Sequence, residues 1–259
     1  GVTVIGGYPD GGGTVVERNI DLHVALLSGD LGVEYDNNDN CYHVLYHSEA
    51  TGVDETAVLD GFAIRYGNAD GADDRQNGGG GMLNVGVSPT LKNCMFSGNN
   101  AELGSDIYNS AASPVLVNCV FSEFEAPMNG GADLYNTSTS APTLTNCTLA
   151  AYMYGVTGGD SVGIQNTASS TATLTNCIVW GYGTPIVNEG DSSTHVTYSC
   201  VQGNYPGEGN IDINPRLEYY DSDVVMCPMA GSPCIDAGTN NAVALPEKDQ
   251  GGNPRRLDD

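Results

Sequence analysis

Four segments of one shape limit what this chain can fold into. They are Pro89-Thr-Leu-Lys-Asn-Cys94, Pro114-Val-Leu-Val-Asn-Cys119, Pro142-Thr-Leu-Thr-Asn-Cys147 and Ala172-Thr-Leu-Thr-Asn-Cys177. Leu stands three residues before Cys each time, and Asn immediately before it. A fifth segment, His195-Val-Thr-Tyr-Ser-Cys200, reads as a degraded copy. The cysteines from Cys94 to Cys200 then recur at intervals of 25, 28, 30 and 23 residues. A residue that returns at such a period marks a recurring structural position before it marks redox chemistry.

A second block precedes each first one: Met82-Leu-Asn84, Ile107-Tyr-Asn109, Leu134-Tyr-Asn136, Ile164-Gln-Asn166 and Ile186-Val-Asn188. From its Asn to the next Cys the distance is 10, 10, 11, 11 and 12 residues, so length variation falls after the Cys. Two residues beyond the Cys stand Phe96, Phe121, Leu149 and Val179, a third apolar position. Three short strands per repeat, each apolar on one side, bury a core only by stacking coil on coil. The expected fold is all-β: a right-handed single-stranded parallel β-helix with three short strands per coil and buried Cys and Asn ladders. Equivalent residues in such a stack lie about 4.8 Å apart. Asn suits the left-handed turn between strands, and its amide can bond the Asn above and below. Cys94, Cys119, Cys147, Cys177 and Cys200 are expected as a buried reduced stack, because small buried thiols behave as hydrophobes. In-register parallel neighbours seldom have disulfide geometry. A zinc site is disfavoured by the lack of any CxxC or His cluster.

The boundaries expected are a β-helix over 1–215, with N-terminal coils over 1–66 and Asn-Cys repeats over 80–205, then a cap or tail over 216–259. Cys227 and Cys234 lie outside the ladder, and a local bridge between them stays open. The 35 glycines and abundant Asn, Ser and Thr are turn chemistry, and no stretch carries a helical apolar period. A formal net charge of −24 makes nucleic acid and anionic lipid poor partners. Solubility explains that charge without any ligand. No apolar run reaches transmembrane length. Gly1 starts directly in strand-like sequence with no secretory signal in view, as in a mature or trimmed domain, which leaves an extracellular location open.

Further stretches carry a family likeness: Leu59-Asp-Gly-Phe-Ala-Ile64, Gly78-Gly-Gly-Gly-Met82, Phe96-Ser-Gly-Asn-Asn-Ala101, Gly231-Ser-Pro-Cys-Ile-Asp-Ala-Gly238 and Gly252-Asn-Pro-Arg255. With the Leu-x-Asn-Cys segments, they span most of the chain. The sequence resembles the secreted right-handed β-helix proteins of the pectate-lyase-like superfamily, in the branch with polymorphic-outer-membrane-protein-like repeats. The resemblance implies a bacterial, secreted or surface protein. Relatives of that kind include adhesin-like modules and polysaccharide-degrading enzymes. The Arg-x-Pro-x-x-Arg pattern of pectate lyases is missing, as is the Asn-x-Asp, Gly-Asp-Asp, Gly-His-Gly and Arg-x-Lys set of polygalacturonase-like hydrolases.

The expected role is therefore binding or display, with a polysaccharide or surface glycan as partner. The alternative is a lyase or glycoside hydrolase with an atypical acidic site, whose candidate acid and base are Asp106 and Asp133. On adjacent rungs these would be neighbours able to share a proton or hold a cation. The simpler expectation is that both face solvent. For ligand binding the candidates are Phe124, Tyr152, Tyr182 and Tyr205, each five residues after a repeat Cys, with Tyr154 and Trp180 nearby. Facing outward they make a strip on which sugar rings stack; facing inward they cover the core. Tyr108 and Tyr135 form a second aligned pair, expected outward. For Ca²⁺, the one cofactor the chain suggests, the candidates are the acidic loops with Asp36, Asp39, Asp70, Asp73 and Asp74. Neither loop matches an EF-hand or a calcium β-roll repeat.

Overall fold

A computed structural model describes residues 1–34, 36–73, 75–123, 131–151, 158–220 and 225–249. Three parallel sheets hold nearly all of the described strands. The Leu-x-Asn-Cys segments supply the first sheet, of seven strands, including Thr90–Lys92, Val115–Val117, Thr143–Thr145 and Thr171–Thr175. The residues after each Cys supply the second, also of seven, including Met95–Ser97, Val120–Glu123, Thr148–Ala151, Ile178–Trp180 and Cys200–Val201. The block that ends in Asn supplies the third, of six, including Met82–Val85, Ile107–Ser110 and Leu134–Thr137. Between Thr90 and Val117 the chain visits the first sheet, the second, a short two-stranded parallel sheet at Asn100–Ala101, the third and then the first again. Helix is confined among the described residues to three short 3-10 turns. The architecture is all-β and consistent with a parallel β-helix.

Register places like on like. Leu91, Leu116, Leu144 and Leu174 pair in succession, and none has measurable exposure. Burying one such side chain contributes about 1.5–3 kcal/mol. Phe96 and Phe121 stack with ring centroids 5.0 Å apart, followed along the second sheet by Leu149 and Val179. On the third sheet Met82, Ile107, Leu134 and Ile164 line up in the same core. Two residues further along each strand, Asn84, Asn109, Asn136, Asn166 and Asn188 form a chain in which each Nδ2 donates to the next Oδ1 at 2.9 Å. The imidazole of His47, in register with Asn84, closes its first end.

The Asn before each Cys turns the corner. Asn93, Asn118, Asn146 and Asn176 have φ of 51°, 61°, 55° and 57°, the left-handed region that costs other side chains about 1–2 kcal/mol. Asn118 donates to Asn93, and Asn93 to Asp60, where the Arg18 guanidinium also binds. The Asn146 amide nitrogen is buried without a hydrogen-bond partner, so at that position the backbone conformation is what the residue provides. Replacing Asn146 by Val should lower stability by about 1–2 kcal/mol in urea melts, whereas Asn146→Gly should stay within about 1 kcal/mol. Equal losses would mean the side chain, not the conformation, is needed.

The cysteine ladder has four members, not five. Cys94, Cys119, Cys147 and Cys177 are at most 1% exposed, and each thiol lies against the carbonyl of a Leu on the preceding turn of the chain. Cys200 does not continue them. The pairing of Leu174 with Val196 and of Ile178 with Cys200 puts Tyr198 opposite Asn176 and Ser199 opposite Cys177. Tyr198 takes the left-handed turn at φ 50°, and Ser199 accepts the Cys177 amide. The degraded repeat is thus shorter by one residue, and alignment on cysteine alone misplaces it. Side chains alternate along a strand: Val201 enters the core, and Cys200 points the other way.

The last described strands, Leu217–Tyr220 and Val225–Pro228, form an antiparallel hairpin. Its Met226 and Leu217 pack with Val120 and Ala150 in a second, smaller apolar cluster outside the main core.

Candidate functional site

The expected acid–base pair is not on the surface. Asp106 is 3% exposed and Asp133 fully buried, which corrects the expectation that both face solvent. They stand in one column, immediately before Ile107 and Leu134, with Gly81 and Gly163 in the equivalent places on either side. The glycines make the column possible. A Cβ on Gly81 would lie 2.9 Å from the Asn99 amide nitrogen, and one on Gly163 would lie 3.0 Å from the Tyr182 ring. Into the space left free, Asn99 Nδ2 reaches Asp106 Oδ1 at 2.9 Å and the Tyr182 hydroxyl donates to Asp133 Oδ2. Burial pushes the Asp106 carboxyl well above the usual carboxylate range; the Asp133 charge adds to this, and the Asn99 donation opposes it. Two carboxyls buried in one column favour the neutral form of Asp106. At 3% exposure or less, neither carboxyl is presented to a sugar lying on the surface.

The aromatic candidates divide. Tyr182 is 1% exposed and belongs to the core, which follows from its hydrogen bond to Asp133. Tyr205 is half-buried against the core, and its hydroxyl accepts from Asn188. Trp180 is half-exposed on the second sheet. Phe124, Tyr152 and Tyr154 lie outside the described residues, as do the loops that follow Cys119 and Cys147.

A partly exposed aromatic pair lies instead on the third sheet. Because Ile107 and Asn109 point inward, Tyr108 between them points out. The row that shares its register runs Tyr46, Leu83, Tyr108, Tyr135, Gln165 and Val187. Tyr108 and Tyr135 stack with centroids 5.4 Å apart and planes 5° from parallel, both half-exposed. Tyr46, 41% exposed, adds a ring beside His43. Beyond Tyr135 the row turns polar, where Gln165 donates to Glu189 at 2.8 Å. The result is a strip of ring edges and hydroxyl groups ending in an amide and a carboxylate.

The acidic loops hold their own backbone. Asp36 accepts from the backbone and side chain of Asn38, which keeps its carboxyl below its ordinary value. Asp39 accepts from the Val33 amide, and Asp70 from the Asn68 side chain. The carbonyl of Asp73 accepts two amides in its turn, and Asp74 lies outside the described residues. Among the described residues no three His, Cys, Asp or Glu side chains are grouped to hold a metal. No helix of the described residues is long and apolar enough to cross a membrane.

Comparison with protein-family models, with curated proteins and with solved structures returns no match to this chain.

Sequence reasoning missed Asn99, Arg18 and His47. Each lies outside the repeat blocks and acts where a ladder or column needs a terminal partner, so no periodicity marks it.

Proposed function

We propose that this chain is a right-handed parallel β-helix with three strands per coil, secreted or displayed at a cell surface, that binds a neutral glycan along its third sheet. The observation that carries the reading is the half-buried Tyr108–Tyr135 stack; Tyr46 shares its register on the far side of the buried Leu83. Tyr combines an apolar body with a polar tip, which suits a ligand that is apolar on its ring faces and hydroxylated at its rim. The sheet fixes the spacing of the rings, so little side-chain freedom is lost on binding. The acidic surface argues for an uncharged sugar rather than a uronic acid polymer, since net charge of one sign repels a ligand of the same sign. The resemblance of the Leu-x-Asn-Cys and Gly-Ser-Pro-Cys-Ile-Asp-Ala-Gly segments to secreted β-helix proteins supports the location.

The burial of Asp106 and Asp133 supports the binding reading over a hydrolase reading that would rest on those two residues. An array of neutral oligosaccharides probed with the intact chain and with a Tyr108→Ala, Tyr135→Ala double variant tests the proposal. Binding should fall at least tenfold in the double variant and be retained in Trp180→Ala. Binding unchanged by loss of both tyrosines, or no binding to any array member, would overturn it.

A further inference from the structure

The displacement of Cys200 from the ladder gives it a different neighbour. Its backbone continues the stack, donating to the Cys177 carbonyl at 2.8 Å, while its side chain turns away from the core residue Val201. The chain beyond it folds back beneath this last strand. Ile211 and Ser199 join through an amide hydrogen bond, and Cys200 Sγ lies 3.2 Å from the Ile213 carbonyl. The Gly-Ser-Pro-Cys-Ile-Asp-Ala-Gly segment then docks on the same end. Ser232 Oγ donates to the Pro215 carbonyl at 2.5 Å and accepts the Cys234 amide at 3.1 Å. Five residues on, Thr239 exchanges two hydrogen bonds with the Asn176 side chain, at 2.8 and 2.9 Å. Held at both ends, this segment carries Cys234 to the end of the stack where Cys200 points away from the core, near enough for each thiol to shift the ionisation of the other.

We propose that Cys200 and Cys234 form a disulfide that staples the C-terminal segment to the end of the β-stack. Cys227, the other candidate partner of Cys234, is placed instead on the hairpin opposite Glu218. The interaction with Cys200 lowers the Cys234 thiol below its ordinary value and Ser232 adds to this, against burial; the same interaction and burial raise Cys200. Cys234, which is partly exposed, is therefore the thiolate that meets an oxidant first. With glutathione disulfide as oxidant, the Cys234 thiolate attacks one sulfur and expels a glutathione thiolate, giving a mixed disulfide. Cys200 then gives up its proton and attacks the Cys234 sulfur, and the second glutathione leaves. Two protein thiols are oxidised and one glutathione disulfide is reduced to two thiols. The ladder cysteines also stand in one column, but at no more than 1% exposure no oxidant reaches them, and burial raises Cys119 and Cys177 well above the ordinary thiol value.

The test uses the full chain equilibrated in a glutathione redox buffer, quenched with an alkylating agent and mapped as non-reduced peptides. The expected map joins the Cys200 and Cys234 peptides, with a mass two hydrogens below their sum. The link should persist in Cys227→Ser and vanish in Cys234→Ser, where Cys200 becomes alkylated. The four ladder thiols should alkylate only after denaturation. Cys234 joined to Cys227 in the unsubstituted chain, or both Cys200 and Cys234 alkylated after oxidation, would overturn the proposal. The outcome does not depend on whether the tyrosine row binds glycan.

Discussion

Asp106→Asn should make the protein more stable at alkaline pH and leave it unchanged in acid. In the folded chain burial and the neighbouring Asp133 hold the Asp106 carboxyl well above its ordinary value, so it keeps its proton. The unfolded chain releases that proton near the usual carboxylate range, at about pH 4. Between the two values the folded state binds more protons, and stability falls by up to about 1.4 kcal/mol per pH unit for one proton. The stabilisation is complete below the unfolded value and is lost as pH rises through the folded one. The Asn99 amide donates to this column on one side and the Tyr182 hydroxyl on the other. Neither supplies a positive charge to offset a second carboxylate. An Asn side chain at position 106 can still accept from Asn99, and it carries no charge to be buried. Urea unfolding from pH 4 to pH 9 should show the substituted protein gaining on the order of 1–4 kcal/mol at the upper end. Asp10→Asn, at an exposed site, should run parallel to the unsubstituted protein. Parallel profiles for Asp106→Asn as well would mean that both carboxylates are ionised in the folded state and compensated otherwise.

Much of this architecture can be read from residue spacing. The Leu, Asn and aromatic positions recur because each sits at the same height on successive turns of the stack, where the space available is the same. What repeats in sequence therefore repeats in environment, and Leu91, Leu116, Leu144 and Leu174 are all without exposure for that reason. The errors arise where the repeat breaks. Cys200 carries the right residue type one position late, and only the pairing of Val196 with Leu174 fixes its true register. Asp106 and Asp133 are read as exposed because charge is ordinarily placed in water. Their burial depends on the absence of side chains at Gly81 and Gly163, together with a donor seven residues earlier for Asp106 and one 49 residues later for Asp133. A glycine in the column looks like turn chemistry until the register shows what occupies the space it leaves.

The same logic makes the asparagine ladder position-dependent in its energetics. Asn136 is fully buried, accepts from Asn109 and donates to Asn166. Asn136→Ala removes both contacts and leaves a donor on Asn109 and an acceptor on Asn166 in a core that water does not enter. Each orphaned group costs about 1–3 kcal/mol, so the loss should be about 2–6 kcal/mol. Asn188, at the exposed end of the ladder, donates to Tyr205 and accepts from Asn166 and Thr194. Water can replace its contacts, and Asn188→Ala should cost less than about 1.5 kcal/mol. Urea denaturation with an unchanged slope would attribute the difference to the folded state. Among the described residues, the side chain of Asn136 bonds its neighbours above and below and no other side chain. If Asn136→Ala and Asn188→Ala cost the same, the amide chain would be a consequence of stacking rather than a contributor to it, and the apolar columns alone would hold the coils in register.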